Sequence, residues 1–219
     1  MADIQRPSRR DFLRRVGGVG AAALAVPAAT GCSVVGRIGS HTLDFDTDFG
    51  VLNYAFTLET MEADFYQRVV ASPPRDLRPG ELEILRDIRD HEVAHQRFFA
   101  RALGPLKIDV PDRDFSSVDF TRRDSVLATS RLFEDTGTAA YNGAGKFLSL
   151  AEFLTIAGEI VSVEARQAAV LRTLLSPDPT AFASGEIIDE FGMERALNPP
   201  EVFAIVGRFF TAPPRLVGL

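Results

Sequence analysis

The chain has 219 residues, 46% hydrophobic and 25% charged, with a net charge of −6. That suits one compact domain with a sizeable core, and it excludes a disordered chain, a collagen-like repeat and a polytopic membrane protein. A single cysteine excludes a disulfide framework and a cysteine-only zinc site, three histidines exclude a His-rich metal site, and no basic cluster beyond residue 15 suggests a nucleic-acid partner.

The first segment reads as an address. Met1 to Arg15 is polar and basic, and Val16 to Ala29 is small and apolar. That apolar run is shorter than the roughly 20 residues a membrane-spanning helix needs, and the order basic, apolar, small is that of an export signal. Ser8-Arg9-Arg10-Asp11-Phe12-Leu13 resembles the twin-arginine translocation motif, which implies export of a folded protein by the twin-arginine machinery. Cys32 follows in Ala29-Thr30-Gly31-Cys32, which resembles a lipobox, with Ala29 where leucine is more usual. Lipidation of Cys32 would anchor the protein to a membrane; the alternative is a plain secreted protein cut at the same bond. Cleavage after residue 31 removes five arginines and two aspartates and takes the charge from −6 to −9. The expected organisation is a signal over 1–31, a linker over 32–47 and a helical domain over 48–212.

Four long helices follow in the pattern. The first runs from Phe49 to Val70 behind Asp48 as cap and ahead of Pro73-Pro74. The second runs from Pro79 to Leu103, with proline in its first turn and Gly104-Pro105 after it. The third runs from Ser125 to Asn142, capped by Asp124 and stopped by Gly143. The fourth runs from Leu150 to Leu175 behind Ser149-Leu150-Ala151-Glu152, which has the form of a capping box. A short fifth helix, Pro199 to Phe210, follows Asn198. About eight residues join helices one and two, and a similar number joins three and four, so each pair is expected to be an antiparallel hairpin. About twenty residues, Gly104 to Arg123, separate the hairpins, which is long enough to travel the length of a bundle. The predicted fold is all-α: a ferritin-like four-helix bundle with one long crossover and a short C-terminal helix. An array of helical hairpins is the alternative, but no repeat of 34 to 45 residues is visible.

Acidic residues interrupt the apolar stripes. The stripes read Leu52, Ala55, Glu59, Glu62, Tyr66 in the first helix, Leu85, Ile88, Glu92, His95, Phe99 in the second, Leu127, Ser130, Glu134, Gly137, Tyr141 in the third, and Phe153, Ala157, Ile160, Glu164, Gln167, Leu171 in the fourth. Steps of three and four keep each set on one face. A carboxylate buried alone is costly, so it should be paired, protonated or bound to metal. One such glutamate is noise; four, mid-helix on four helices, require a shared cause. Glu59 and Tyr66 are spaced like Glu134 and Tyr141, and Glu92-Val93-Ala94-His95 is answered by Glu164-Ala165-Arg166-Gln167.

Carboxylate di-metal bundles place a Glu on two helices and Glu-x-x-His on the other two, and Glu59, Glu92, His95, Glu134 and Glu164 match that pattern in order and spacing. With Leu52-Asn53-Tyr54-Ala55, Leu58-Glu59, Phe65-Tyr66, Glu134 through Ala139-Ala140-Tyr141, and Val163-Glu164-Ala165-Arg166, the chain resembles the exported ferritin-like domain family that includes desiccation-related proteins, over residues 45 to 212. The resemblance implies iron or manganese, as one ion or a pair, held by Glu59, Glu92, His95, Glu134 and Glu164, with Tyr66, Tyr141 and Gln167 behind them. Gln167 stands where the second histidine is expected. Its neutral oxygen is a poor transition-metal ligand, so the second position should be weakened, altered or empty. A bundle that keeps these residues as a metal-free hydrogen-bond network is the competing reading. Glu62 is expected at the rim.

His91-Glu92-Val93-Ala94-His95 also spells H-E-x-x-H, a zinc-hydrolase motif. That reading leaves Glu59, Glu134 and Glu164 unexplained, and His91 is then expected as a solvated neighbour. Three function classes remain: a metal-binding redox protein acting on Fe(II) or peroxide, a non-catalytic stress-related envelope protein, and a zinc hydrolase. A homo-oligomer is compatible with all three, but a closed storage cage fits poorly with a lipid anchor on every subunit.

Overall fold

The computed structural model describes residues 41–219, so the arginine pair, the apolar run and Cys32 lie outside the described residues. Helices α1 (Asp48–Ala71) and α2 (Glu81–Leu103) form one hairpin, and α3 (Arg123–Ala144) and α4 (Ala151–Leu175) form the other. A short α5 (Pro199–Val206) packs on α3. This is an all-α ferritin-like bundle with one long crossover. No helix among the described residues is long and apolar enough to cross a membrane.

The crossover climbs α1 from one end to the other. Its Ile108 amide donates to Asn53 Oδ1 at 2.9 Å, Arg113 pairs with Asp64 at 2.6 Å, and Phe115 and Phe120 stack against Phe65. At the far end the Arg123 amide donates to Asp76 Oδ1 at 2.8 Å. With its hairpin partner, α3 and the crossover around it, α1 has no solvent face between Gly50 and Ala63. Its buried hydroxyls are satisfied locally: Thr57 and Thr60 donate to the carbonyls one turn back.

The folded unit is wider than the 48–212 span. β1 (Thr42–Asp44), inside the expected linker, pairs in parallel with β2 (Arg215–Val217). A two-stranded parallel contact between segments on either side of the helices carries no sequence signal beyond a few alternating residues.

Several helix ends differ from their sequence signals, each for a physical reason. Thr47 caps α1, accepting from the Gly50 amide at 3.1 Å. Asp48 instead reaches the start of α4, where its carboxylate accepts from the amides of Ser149 and Leu150. That distant carboxylate does the work expected of a local capping box, and the cap position is Leu150, which has no side-chain acceptor. Pro79 stays outside α2, because Gly80 turns the chain through a left-handed conformation, φ 88°. The expected cap Asp124 falls inside the first turn of α3.

Gly143 does not stop α3, which continues to Ala144. Its missing side chain serves a close approach: the backbone of Leu197 lies where a Cβ would be, and the Leu197 amide donates to Ala139 O at 2.9 Å. Gly143→Ala gains helix propensity but forces this strand of backbone off α3. We expect a net loss of about 1–3 kcal/mol, read as a lower unfolding midpoint. An unchanged or raised midpoint would show that the strap yields freely.

Candidate metal centre

Two turns of α1, one each of α2 and α4, and the middle of α3 meet between the hairpins. Glu59, Glu92, Glu134 and Glu164 are fully buried there, and His95 is partly exposed, its side chain at 13%. His95 Nδ1 lies 3.2 Å from Glu59 Oε2, 3.4 Å from Glu92 Oε2 and 3.2 Å from Glu164 Oε1. Glu59, Glu92, His95 and Glu164 each offer one ligand atom, and these atoms all lie within 4.8 Å of one another. Glu134 sits beside this group rather than in it.

The outer oxygens of three glutamates are held from behind. Tyr141 donates to Glu59 Oε1, Tyr66 donates to Glu134 Oε1 at 2.6 Å, and Gln167 Nε2 donates to Glu92 Oε1 at 2.7 Å. The tyrosines thus cross over: each helix of the α1/α3 pair supports the glutamate of the other. The inner atoms are the reverse. Apart from the contacts of His95 Nδ1 with three of these carboxylates, Glu59 Oε2, Glu92 Oε2, Glu134 Oε2, both oxygens of Glu164 and His95 Nδ1 are buried with no hydrogen-bond partner among the described residues. Buried polar atoms are rarely left so. Anchored outer atoms around unpartnered inner ones are what a metal centre requires, with the support fixing ligand orientation.

Without a metal, protons carry the balance. Burial and then the neighbouring carboxylates push Glu62, Glu92 and Glu134 well above the usual carboxylate range. Glu164 is pushed up to about 7 by burial and then by Glu59, with His95 and Glu134 holding it back. Burial would lower His95, but Glu59 and then the close Glu164 and Glu92 carboxylates raise it far above the ordinary imidazole range. Burial also raises Tyr66 and Tyr141, which stay phenols and remain donors.

The sequence profile of the ferritin-like domain matches residues 47–177, more than half of the chain and all four long helices through Leu175. The chain belongs to the ferritin-like domain family. No curated protein matches it.

The ferritin-like frame accounts for the placement of most sequence-selected residues. The exception is Glu62, expected at the rim: it is only 2% exposed and faces the same interior. A Cβ on Gly137 would lie 3.0 Å from Glu164 Oε2 and 3.2 Å from Glu62 Oε1, so the missing side chain on α3 leaves room beside both carboxylates. The signal was present as the pairing of Glu62 with Gly137 at matching offsets from Glu59 and Glu134. His91 is exposed; its ring approaches Gln167 at 3.4 Å, outside the carboxylate group. The two histidines of H-E-x-x-H therefore do not converge, and the zinc-hydrolase geometry is absent from these residues. Gln167 gives its amide nitrogen to Glu92, and its oxygen is buried with no hydrogen-bond partner among the described residues.

Every resolved shift among the site's acids and His95 is upward, which fixes the sign of the pH dependence. A group protonated to higher pH in the folded state than in the unfolded chain contributes stability that is complete below its unfolded value and lost as pH rises through its folded one. For Glu164 that window runs from about 4.3, the ordinary glutamate value, to about 7. Metal competes for the same positions, so the metal-free domain should lose stability on going from about pH 5.5 to about pH 8, by about 1.4 kcal/mol per pH unit for each proton released, while stabilisation by added Mn²⁺ should grow. Melting curves with and without Mn²⁺ at both pH values check this; a metal effect that shrinks with pH would contradict it.

Proposed function

We propose that this is an exported metal-binding protein whose carboxylate–histidine cluster holds iron or manganese and supports oxidation of Fe(II) or disposal of peroxide. The carrying observation is the set of inner oxygens and His95 Nδ1 that meet only one another, with no hydrogen-bond partner outside the cluster, while the outer oxygens are anchored. A redox metal bound there supplies one-electron exchange with Fe(II) and peroxide. The chain supplies the rest. Glu59, Glu92, His95 and Glu164 provide the ligand atoms, Tyr66, Tyr141 and Gln167 hold carboxylates in place, and the buried setting keeps bulk water away. Export rests on Arg9-Arg10 ahead of the apolar run, and anchoring on Cys32. The test is elemental analysis of protein exported through its own signal, with Fe(II) oxidation measured on the same sample. Fractionation of an Arg9→Lys/Arg10→Lys variant and of Cys32→Ala tests the address and the anchor.

One observation favours a second reading. His95, held as an imidazolium by the surrounding carboxylates, neutralises part of the cluster without any metal. On that reading the domain is a metal-free, stress-related envelope protein, the subtype suggested by the desiccation-related resemblance. Exported protein free of iron and manganese, and unable to take up either, would select it.

A further inference from the structure

The helical stripes that carry the carboxylates continue past them. Toward the end of the bundle where α1 and α4 begin and α2 and α3 end, the same stripes present Leu52 and Ala55, Phe99, Tyr141, and Phe153 and Ala157. Ala55 is one turn before Glu59, and Phe99 is one turn beyond His95. All six line one pocket of about 530 Å³, open solvent at its mouth included.

Small side chains leave this space. Ala55 on α1, Ala102 on α2, Ala140 and Ala144 on α3 and Ala157 on α4 all line it, so each long helix turns at least one methyl group toward it in place of a longer side chain. The frame around it is braced. Asn53 donates to Leu106 O at 3.0 Å and accepts from the Ile108 amide at 2.9 Å, tying α1 to the crossover, while Asp48 ties the start of α1 to the start of α4. Such bracing keeps the helices from closing on the void, which makes the pocket a preformed one.

The lining decides what fits. It contains no charged side chain, and its only hydroxyls belong to Tyr54 and Tyr141, the second of which is given to Glu59. A polar guest would lose its water there and find no partner. The α1 wall runs from Val51 to Leu58, about 10 Å along the helix axis, and is buried throughout. Phe98 on α2 and Ile156 and Ala157 on α4 are half-buried, which puts the mouth on that side. Leu154, 50% exposed, leans against Gly145 on the rim and extends the apolar surface outward.

We propose that this pocket binds an unbranched aliphatic chain, which enters tail-first between α2 and α4 and leaves its head group in water at the mouth. Tyr141 is both a wall of the pocket and a support of Glu59, so the chain is held beside the metal centre. Binding needs no metal, and the inference goes beyond the metal-binding reading without resting on it.

The experiment is calorimetric titration of the full-length exported protein, chelator-stripped and Mn²⁺-treated, with n-hexanol, n-octanol and n-decanol. One molecule per chain is expected in both samples. Affinity should rise about fourfold per added methylene and stop rising once the chain outgrows the pocket, a break that partition onto a general apolar surface does not show. Ala157→Phe fills the space and should weaken n-octanol binding at least about 10-fold while Mn²⁺ uptake stays as in wild type. Phe98→Ala enlarges the space and should move the break to longer chains; it decides the matter if Ala157→Phe fails to fold. No saturable binding to wild type, or binding that neither variant alters, would overturn the proposal. So would self-association that Ala157→Phe abolishes in a protein that takes no n-octanol, which would assign the pocket to a second copy of the chain. Mn²⁺ uptake read on the same samples keeps the two conclusions apart: failure of the pocket leaves the metal-binding reading standing, and n-octanol binding without Mn²⁺ uptake overturns that reading alone.

Discussion

Glu164→Gln is expected to abolish metal stabilisation of this ferritin-like domain while leaving its fold intact. Glu164 is fully buried, and neither of its oxygens has a hydrogen-bond partner among the described residues. Oε1 lies 3.2 Å from His95, and Oε2 faces Gly137 and Glu62. Glu59, Glu92 and Glu134 each have one oxygen anchored from outside the cluster and Glu164 has neither, so its loss affects the whole centre. The amide keeps the shape and removes one acid from a crowded, water-poor space, which eases the metal-free protein. The two effects therefore carry opposite signs. With metal at a thousand times its dissociation constant, wild type gains about 4 kcal/mol and the variant gains none. Melting curves with and without Mn²⁺, beside elemental analysis, read both quantities at once. A variant that binds and responds to metal like wild type would place the site elsewhere.

Arg172→Met should produce the largest loss of stability. Arg172 Nε and Nη2 donate to the two oxygens of Asp135 at 2.8 and 2.7 Å, joining α4 to α3, and Nη1 reaches Ser184 in the segment that follows. Burial pushes the Asp135 carboxyl up even with Arg172 pulling it down, so the pair is near break-even against apolar side chains. Breaking it is another matter, since methionine leaves a mostly buried carboxylate with only the longer Arg131 contact at 3.7 Å, at a cost of up to about 3–5 kcal/mol. For a domain of this size that lowers the midpoint by about 10 °C. The double variant Arg172→Met/Asp135→Leu should recover most of the loss, because it strands no charge. Acid should also narrow the gap between Arg172→Met and wild type, because protonation relieves the stranded Asp135. If the single and double variants melt together, the cost lies in lost packing and not in charge.

What could be read from the chain alone was whatever repeats at helical spacing. Hydrophobic residues every three and four positions set four long helices, and connection lengths set their pairing into hairpins with a crossover. The acidic interruptions were legible for the same reason: a glutamate in an apolar stripe contradicts its surroundings, and Glu59, Glu92, Glu134 and Glu164 do so on four helices in turn. Family membership then follows from a match across residues 47–177.

Only the tertiary structure decided the features that depend on partners far apart in the chain. Asp48 caps a helix about a hundred residues away rather than its own, because the start of α4 is folded against it and lacks an acceptor. Gly143 proved to be a contact point and not a stop, since the backbone that needs its space lies at Leu197. Glu62 was read as a rim charge because a helical stripe gives only an angle around one axis; whether that angle meets solvent or the centre depends on what faces it, and what faces it is a glycine on α3. Likewise the crossed tyrosines, and the turn of the Gln167 amide toward Glu92, follow from the way two hairpins pack, a relation that no spacing within one helix contains.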